Sequence, residues 1–181
     1  KQCLVSSMLP LGPKHQIPID ISTEAKVCFD TLARTEDLRL SPDNKWLAFA
    51  NYHLNCVTLF SIALQSARPE RSARFAVENF WQLSSPTFKG LHGLDFLDGR
   101  TLVVGNRGGG IDLLNLPHNP PMGGVVHVTP EKTIKRANKN TAIQNPGSVC
   151  AFRRPDGARQ ILAANNYGHF ISSHLLRRVG P

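Results

Sequence analysis

The side chains best equipped for recognition chemistry sit just behind three asparagines. Tyr52 and His53 follow Asn51, Arg107 follows Asn106, and Tyr167 and His169 follow Asn165. Phenol, imidazole and guanidinium groups on loops are suited to holding a polar ligand or a protein partner. The asparagines have two readings: as ligand contacts, or as caps that bond backbone amides in the turn that follows. Nucleophilic catalysis has no comparable phrase. No Gly-x-Ser-x-Gly occurs and no cysteine lies beside a histidine in a recognisable pattern. The glycine run Gly108, Gly109, Gly110 after Arg107 lacks the Lys-Ser or Lys-Thr and the helix of a phosphate-binding loop, so it reads as a tight turn. Phe152-Arg153-Arg154 resembles a paired-arginine lipid motif, but Pro155 replaces its glycine.

Charge and cysteine content narrow the classes further. The formal net charge is +8, with basic residues gathered at Arg68, Arg71 and Arg74, at Lys132, Lys135, Arg136 and Lys139, and at Arg177 and Arg178. Such runs attract phosphates, but no aromatics are interleaved with them to stack bases, so nucleic acid is not an expected partner. The four cysteines, Cys3, Cys28, Cys56 and Cys150, show no CxxC spacing and no zinc-finger histidines. Cys56 and Cys150 fall in apolar strand patterns and read as small buried hydrophobes. This tilts the chain towards a reducing, cytoplasmic-type compartment, although an even count permits disulfides. No stretch reaches ~18 apolar residues, so no membrane span is expected.

The elements that must position these residues repeat. Leu38 to Asn51, Leu94 to Asn106 and Cys150 to Asn165 each read as an apolar strand, an Asp-Asn or Asp-Gly turn (Asp43-Asn44, Asp98-Gly99, Asp156-Gly157), a second apolar strand, and Asn. These are β-hairpin signatures. The asparagines are 55 and 59 residues apart, room for one four-stranded antiparallel sheet per copy, and such a period points to propeller blades. Third strands are expected at Val57 to Ile62, Ile111 to Leu116 and Phe170 to Leu176. Fourth strands are expected at Arg74 to Glu78 and Val125 to Thr129. Ile17 to Ile21 and Ala25 to Leu32 read as strand-like, part of a further blade or an outer strand completing the last one, and Leu64 to Phe75 as loop. The connections are rich in Pro, Gly, Ser and Asn, which argues against a parallel α/β fold.

The fold class is therefore all-β, with blades of four antiparallel strands in an incomplete propeller or part of a larger ring. The expected divisions are a strand-containing N-terminal segment at 1–35, part of a blade, then blades at 36–90 and 91–146 and a partial or complete blade at 147–181. Propeller rings need about four to eight blades, so further blades or a partner chain, including a second copy, would complete the ring.

The phrases Ser41-Pro42-Asp43-Asn44-Lys45-Trp46-Leu47-Ala48-Phe49-Ala50-Asn51 and His92 to Asn106 resemble blade repeats of the lactonase-like and gluconolactonase-like propeller superfamily, over about residues 36–176. The resemblance implies polar residues pointing into a central channel, four positions before the end of each first strand: Glu36, His92 and Ser148. It further implies that Glu36 and Ser148 could ligate a calcium-type divalent cation, with His92 as general base of a metal-assisted lactonase. The other reading is a binding module for a small polar ligand or a protein, using Glu36, His92, Tyr52 and Arg107. Glu36 and His92 have a second reading, as side chains that hydrogen-bond loop backbone groups at the blade start.

Overall fold

The computed structural model describes residues 18–65 and 74–176. Among the described residues strand accounts for 56% and helix for 6%, arranged in several antiparallel sheets, none closed into a barrel. The first sheet contains β2 (Thr35–Leu40), β3 (Trp46–Asn51), β4 (Cys56–Gln65) and β5 (Arg74–Ser84), each antiparallel to the one before. The second contains β6 (Leu91–Phe96), β7 (Thr101–Asn106), β8 (Gly110–Asn115) and β10 (Lys132–Ile134). β11 (Pro146–Arg153), β12 (Arg159–Asn165) and β13 (Phe170–Leu176) form the third.

The hairpin turns arise from their aspartates. Asp43 Oδ1 accepts the amide of Lys45 at 3.2 Å, Asp98 that of Arg100 at 2.9 Å, and Asp156 that of Ala158 at 3.0 Å. A short carboxylate reaching two residues forward closes the chain on itself before any sheet forms. Asn44 and Gly157 then take positive φ, 55° and 81°, which asparagine and glycine tolerate best.

Each sheet repeats a second device at its other end. Thr35, Leu91 and Pro146 pair with Asn51, Asn106 and Asn165, and just beyond each pair the register slips by a β-bulge. The residue after each asparagine donates its amide to the carbonyl just before the first strand: Tyr52 to Arg34 at 2.9 Å, Arg107 to Gly90 at 3.1 Å, Asn166 to Asn145 at 3.2 Å.

The first strands lie side by side, β6 between β2 and β11. Carboxylates tie them: Asp37 Oδ2 accepts the Leu94 amide at 3.1 Å, and Asp95 Oδ2 that of Ala151 at 2.7 Å. The second sheet is thus covered on both faces. Leu94, Phe96, Leu102, Val104 and Leu114 pack against Ala48, Ala50, Val57, Leu59, Trp81 and Leu83 of the first sheet. Val103, Ile111 and Leu113 pack against Val149, Ile161 and Ala163 of the third. Gly93 allows the second approach, because a Cβ there would lie 2.4 Å from the Gly147 carbonyl oxygen.

Several sequence expectations are corrected. Ala25 to Leu32 is not a strand; Thr23–Thr31 forms helix α1. Ser22 caps it by accepting the Ala25 amide at 3.1 Å, and Ala25, Cys28, Phe29 and Leu32 make a helical stripe. That stripe covers the first sheet's far side, where Phe29 stacks on Phe60 with ring centroids 4.1 Å apart. β1 (Ile19–Ile21) runs parallel to the N-terminal half of β5 and does not complete the third sheet; Ile17 lies outside the described residues. Val125 to Thr129 is not the fourth strand of the second sheet. β9 (Val125–His127) runs parallel to the C-terminal half of β5, because β5 is long enough for its free edge to take two short strands, and β10 fills the expected place. The expected Leu64 to Phe75 loop falls partly on residues outside the described set, but Leu64 and Gln65 belong to β4, and Arg74 and Phe75 to β5. Cys150 is exposed where Cys28 and Cys56 are buried, because it stands on the uncovered face of the third sheet. Cys3, Arg68, Arg71, Arg177 and Arg178 lie outside the described residues.

Candidate functional site

The end of the molecule that holds the bulges brings together Arg34, Glu36, Tyr52, His92 and Arg107. Glu36 and His92 are second residues of β2 and β6, placed at the bulges that re-aim their side chains. Arg34 precedes β2, Tyr52 follows β3 and Arg107 follows β7. The junction between the first two sheets therefore assembles all five.

Glu36 Oε2 lies 3.2 Å from His92 Nε2, and Arg34 Nε is ion-paired with Glu36 Oε1, though not aligned for a hydrogen bond. The Arg34 and Arg107 guanidinium carbons lie 4.7 Å and 5.8 Å from the centre of the Tyr52 ring, within cation–π range. Gly90, at φ +63°, sits against the same ring. His53 meets Tyr52 edge to face, with ring centroids 5.3 Å apart. A groove of about 370 Å³ lined by Thr35, Glu36, Asp37, Leu38, Arg39 and Phe49 opens beside the cluster.

Burial lowers the His92 pKa below the ordinary imidazole value, the Arg107 charge lowers it further, and the Glu36 carboxylate only partly offsets them. The lowered pKa makes the neutral ring the main form at pH 7, and the negative charge of Glu36 beside Nε2 favours the proton on that nitrogen, which leaves Nδ1 as an acceptor. Nδ1 is buried and has no partner among the described residues, and the same holds for Arg107 Nε. With Glu36 Oε1, which is ion-paired but accepts no hydrogen bond, two unfilled acceptors and one unfilled charged donor thus belong to a single cluster. Buried polar atoms of this kind are uncommon in a finished core and mark where a ligand or water would bond.

A calcium-type cation does not fit these residues. Glu36 is already engaged by Arg34 and His92, and two guanidiniums nearby would repel a divalent ion. Among the described residues no three His, Cys, Asp or Glu side chains gather as a metal site. Ser148 is also out of place for the role implied by the resemblance. The residue following the pair with the strand-end asparagine is Glu36 in the first sheet and His92 in the second, but Gly147 in the third, and Ser148 stands one position later. A Cβ on Gly147 would come within 2.9 Å of the Asn166 amide group, so the position has no room for a ligating side chain.

Asn51, Asn106 and Asn165 are buried and committed to the sheets. Their amide groups donate across to the following strand: Asn51 to Thr58 at 3.0 Å, Asn106 to Asp112 at 2.6 Å, Asn165 to Ser172 at 3.1 Å. The Asn106 and Asn165 carbonyls also accept amides from Lys89 and Gln144, ahead of β6 and β11. None of these side-chain bonds goes to an amide of the turn that follows, so the expected capping takes a different form, and Asn51 Oδ1 has no partner among the described residues. Tyr167 projects from the third sheet's turn, 76% exposed, and its equivalent in the first sheet is His53, both being second after the asparagine. His169, at φ 53°, closes the same turn.

Arg34 is the member that sequence reading missed. Its signal is positional: it precedes the first strand of its sheet, as Gly90 and Asn145 do in theirs, and accepts the amide of the residue after the asparagine. The buried cysteines Cys28 and Cys56 add no nucleophile. Burial pushes the Cys28 thiol up to about 11 and raises that of Cys56, keeping both protonated at neutral pH. Among the described residues no helix is long and apolar enough to cross a membrane. Comparison with protein-family models, curated proteins and solved structures gives no match.

Proposed function

We propose that this chain is a three-sheet portion of a β-propeller acting as a binding module, and that it takes a small polar ligand, or a polar group of a protein, at the junction of its first two sheets. The observation that carries this reading is the convergence of Arg34, Glu36, Tyr52, His92 and Arg107 from two sheets, with His92 Nδ1 and Arg107 Nε unpaired among the described residues. The propeller assignment is supported by three sheets with one strand order, one bulge position and one turn chemistry, and by first strands lying side by side. On this reading the uncovered face of the third sheet receives a further blade, from the same polypeptide or from a partner chain. Ligand-responsive positions are accordingly Tyr52, His53, His92 and Arg107, with Arg34 and Glu36 setting their charge; the three asparagines hold the sheets.

Mapping a panel of small polar compounds by amide chemical shifts tests the reading. Compounds that bind should perturb residues 34–37, 52–53, 90–93 and 106–108 together. Hits that map to the Tyr167 turn, or spread over the exposed third sheet, would contradict it. The metal-assisted lactonase is the lesser reading, favoured only by the neutral, acceptor-ready His92. Calcium should leave the melting temperature unchanged, and a calcium-dependent rise would restore the hydrolase.

A further inference from the structure

We propose that the ligand bound at this junction is an oxyanion, a carboxylate or a phosphate group, held by Arg107 with His92 accepting a hydrogen bond beside it. The inference rests on the binding-module reading and adds the chemical class of the ligand. It follows from charge and hydrogen-bond accounting at the cluster. Arg34 and Arg107 bring two fixed positive charges, and His92 is neutral.

The cluster's acid is Glu36, and it is already used: one oxygen faces Arg34 and the other His92. Asp37, the next acid along, is turned elsewhere. Its Oδ1 pairs with Arg39 at 2.5 Å and its Oδ2 accepts the Leu94 amide at 3.1 Å. Arg107 therefore lies over Tyr52 without a matched carboxylate, its Nε enclosed and unbonded among the described residues.

A partly enclosed guanidinium with a free Nε is half of a two-point grip. Nε and a terminal nitrogen together match the two oxygens of a carboxylate or phosphate. His92 Nδ1, being an acceptor, selects for a donor next to the anion, such as a hydroxyl on the same ligand or the proton of a monoprotonated phosphate. The Tyr52 ring, 5.8 Å from the Arg107 guanidinium carbon, holds the charge at the junction by cation–π attraction before the ligand arrives, which reduces the ordering that binding must supply.

The test is a titration of the whole chain at constant ionic strength, following the His92 ring resonance, assigned by its loss in H92Q. Inorganic phosphate, acetate and a neutral polyol, xylitol, are the probes. Either anion should shift the resonance saturably, and which of the two does so identifies the group. R107Q should weaken that response roughly tenfold or more. R107K, which keeps the charge but loses the fork, should fall between, and the unchanged spectrum outside the site shows that both variants are folded. Xylitol binding with an R107Q response equal to that of the parent overturns the oxyanion proposal and leaves the binding face standing. No saturable response to any of the three overturns both.

Discussion

The second and third sheets are built from the same hairpin, yet they occupy different environments. All six residues of β7 are buried, because the first sheet covers one face and the third covers the other. In the third sheet only alternate residues of β12 are buried. On its far face Phe152, Ile171 and Leu175 are 37%, 74% and 45% exposed. Identical turn chemistry therefore does not give identical stability. Strand pairing is local, whereas apolar burial depends on which neighbours arrive, and burial is the larger energy term. The cluster of Arg34, Glu36, Tyr52, His92 and Arg107 follows the same rule, assembling where two sheets meet.

Substitutions can widen or erase this contrast. The largest effect is expected at Leu102, fully buried between β6 and β8. Leu102→Ala should cost about 2–5 kcal/mol in denaturant unfolding, and a loss no greater than that of Ile171→Ala would break the comparison. Gly93→Ala comes next. Its Cβ would meet the Gly147 oxygen at 2.4 Å and the Val149 nitrogen at 2.6 Å, both backbone atoms that cannot rotate away. A loss of about 1–3 kcal/mol is expected, with the third sheet loosened more than the first, as read by hydrogen exchange.

A smaller effect is expected at Asp98, which joins the two sheets through Arg159 at 2.8 Å. Burial pushes its pKa up, but amide donation from Arg100 and Thr101 and the Arg159 charge outweigh burial and hold it below the ordinary carboxylate value. A depressed folded pKa means that this stabilisation is present above the unfolded value near 4. It is lost as pH falls through the folded value. Asp98→Asn should therefore remove about 1 kcal/mol at pH 7 and flatten the acid limb of the stability profile. An acid limb unchanged by the substitution would refute the pairing. The smallest effect belongs to Ile171→Ala, within about 0.5 kcal/mol in either direction.

Much of the fold can be read from the sequence because the turn-forming residues act locally. Asp43, Asp98 and Asp156 each close their own hairpin through a bond two residues long, and alternating apolar residues then define the flanking strands. What sequence reading missed depends on distant partners. Ala25 to Leu32 carries enough apolar residues to pass for a strand, and only the cap at Ser22 and the four-residue stripe reveal the helix. β9 follows the edge that a long β5 leaves free, which no feature of Val125 to His127 announces. Cys150 lies in an apolar run, yet its exposure reflects what fails to cover the third sheet.

The site divides in the same way. Glu36, Tyr52, His92 and Arg107 were legible because they differ between copies at positions where the repeat is otherwise regular. Ser148 was placed one residue off because β12 has seven residues where β3 and β7 have six, so counting back from Phe152 stops one residue short of the equivalent position. Arg34 was passed over because it stands outside the repeat phrase. The asparagines drew attention by recurring, and recurrence here reflects a requirement of the sheet: each amide bonds the next strand.

Native-state hydrogen exchange tests the layered arrangement most directly. The account predicts that paired amides of β7 and β8 exchange only through global unfolding, and that those of β13 exchange by local opening, orders of magnitude faster. Equal protection of β7 and β13, or a β7 that opens locally, would contradict a second sheet enclosed by the other two.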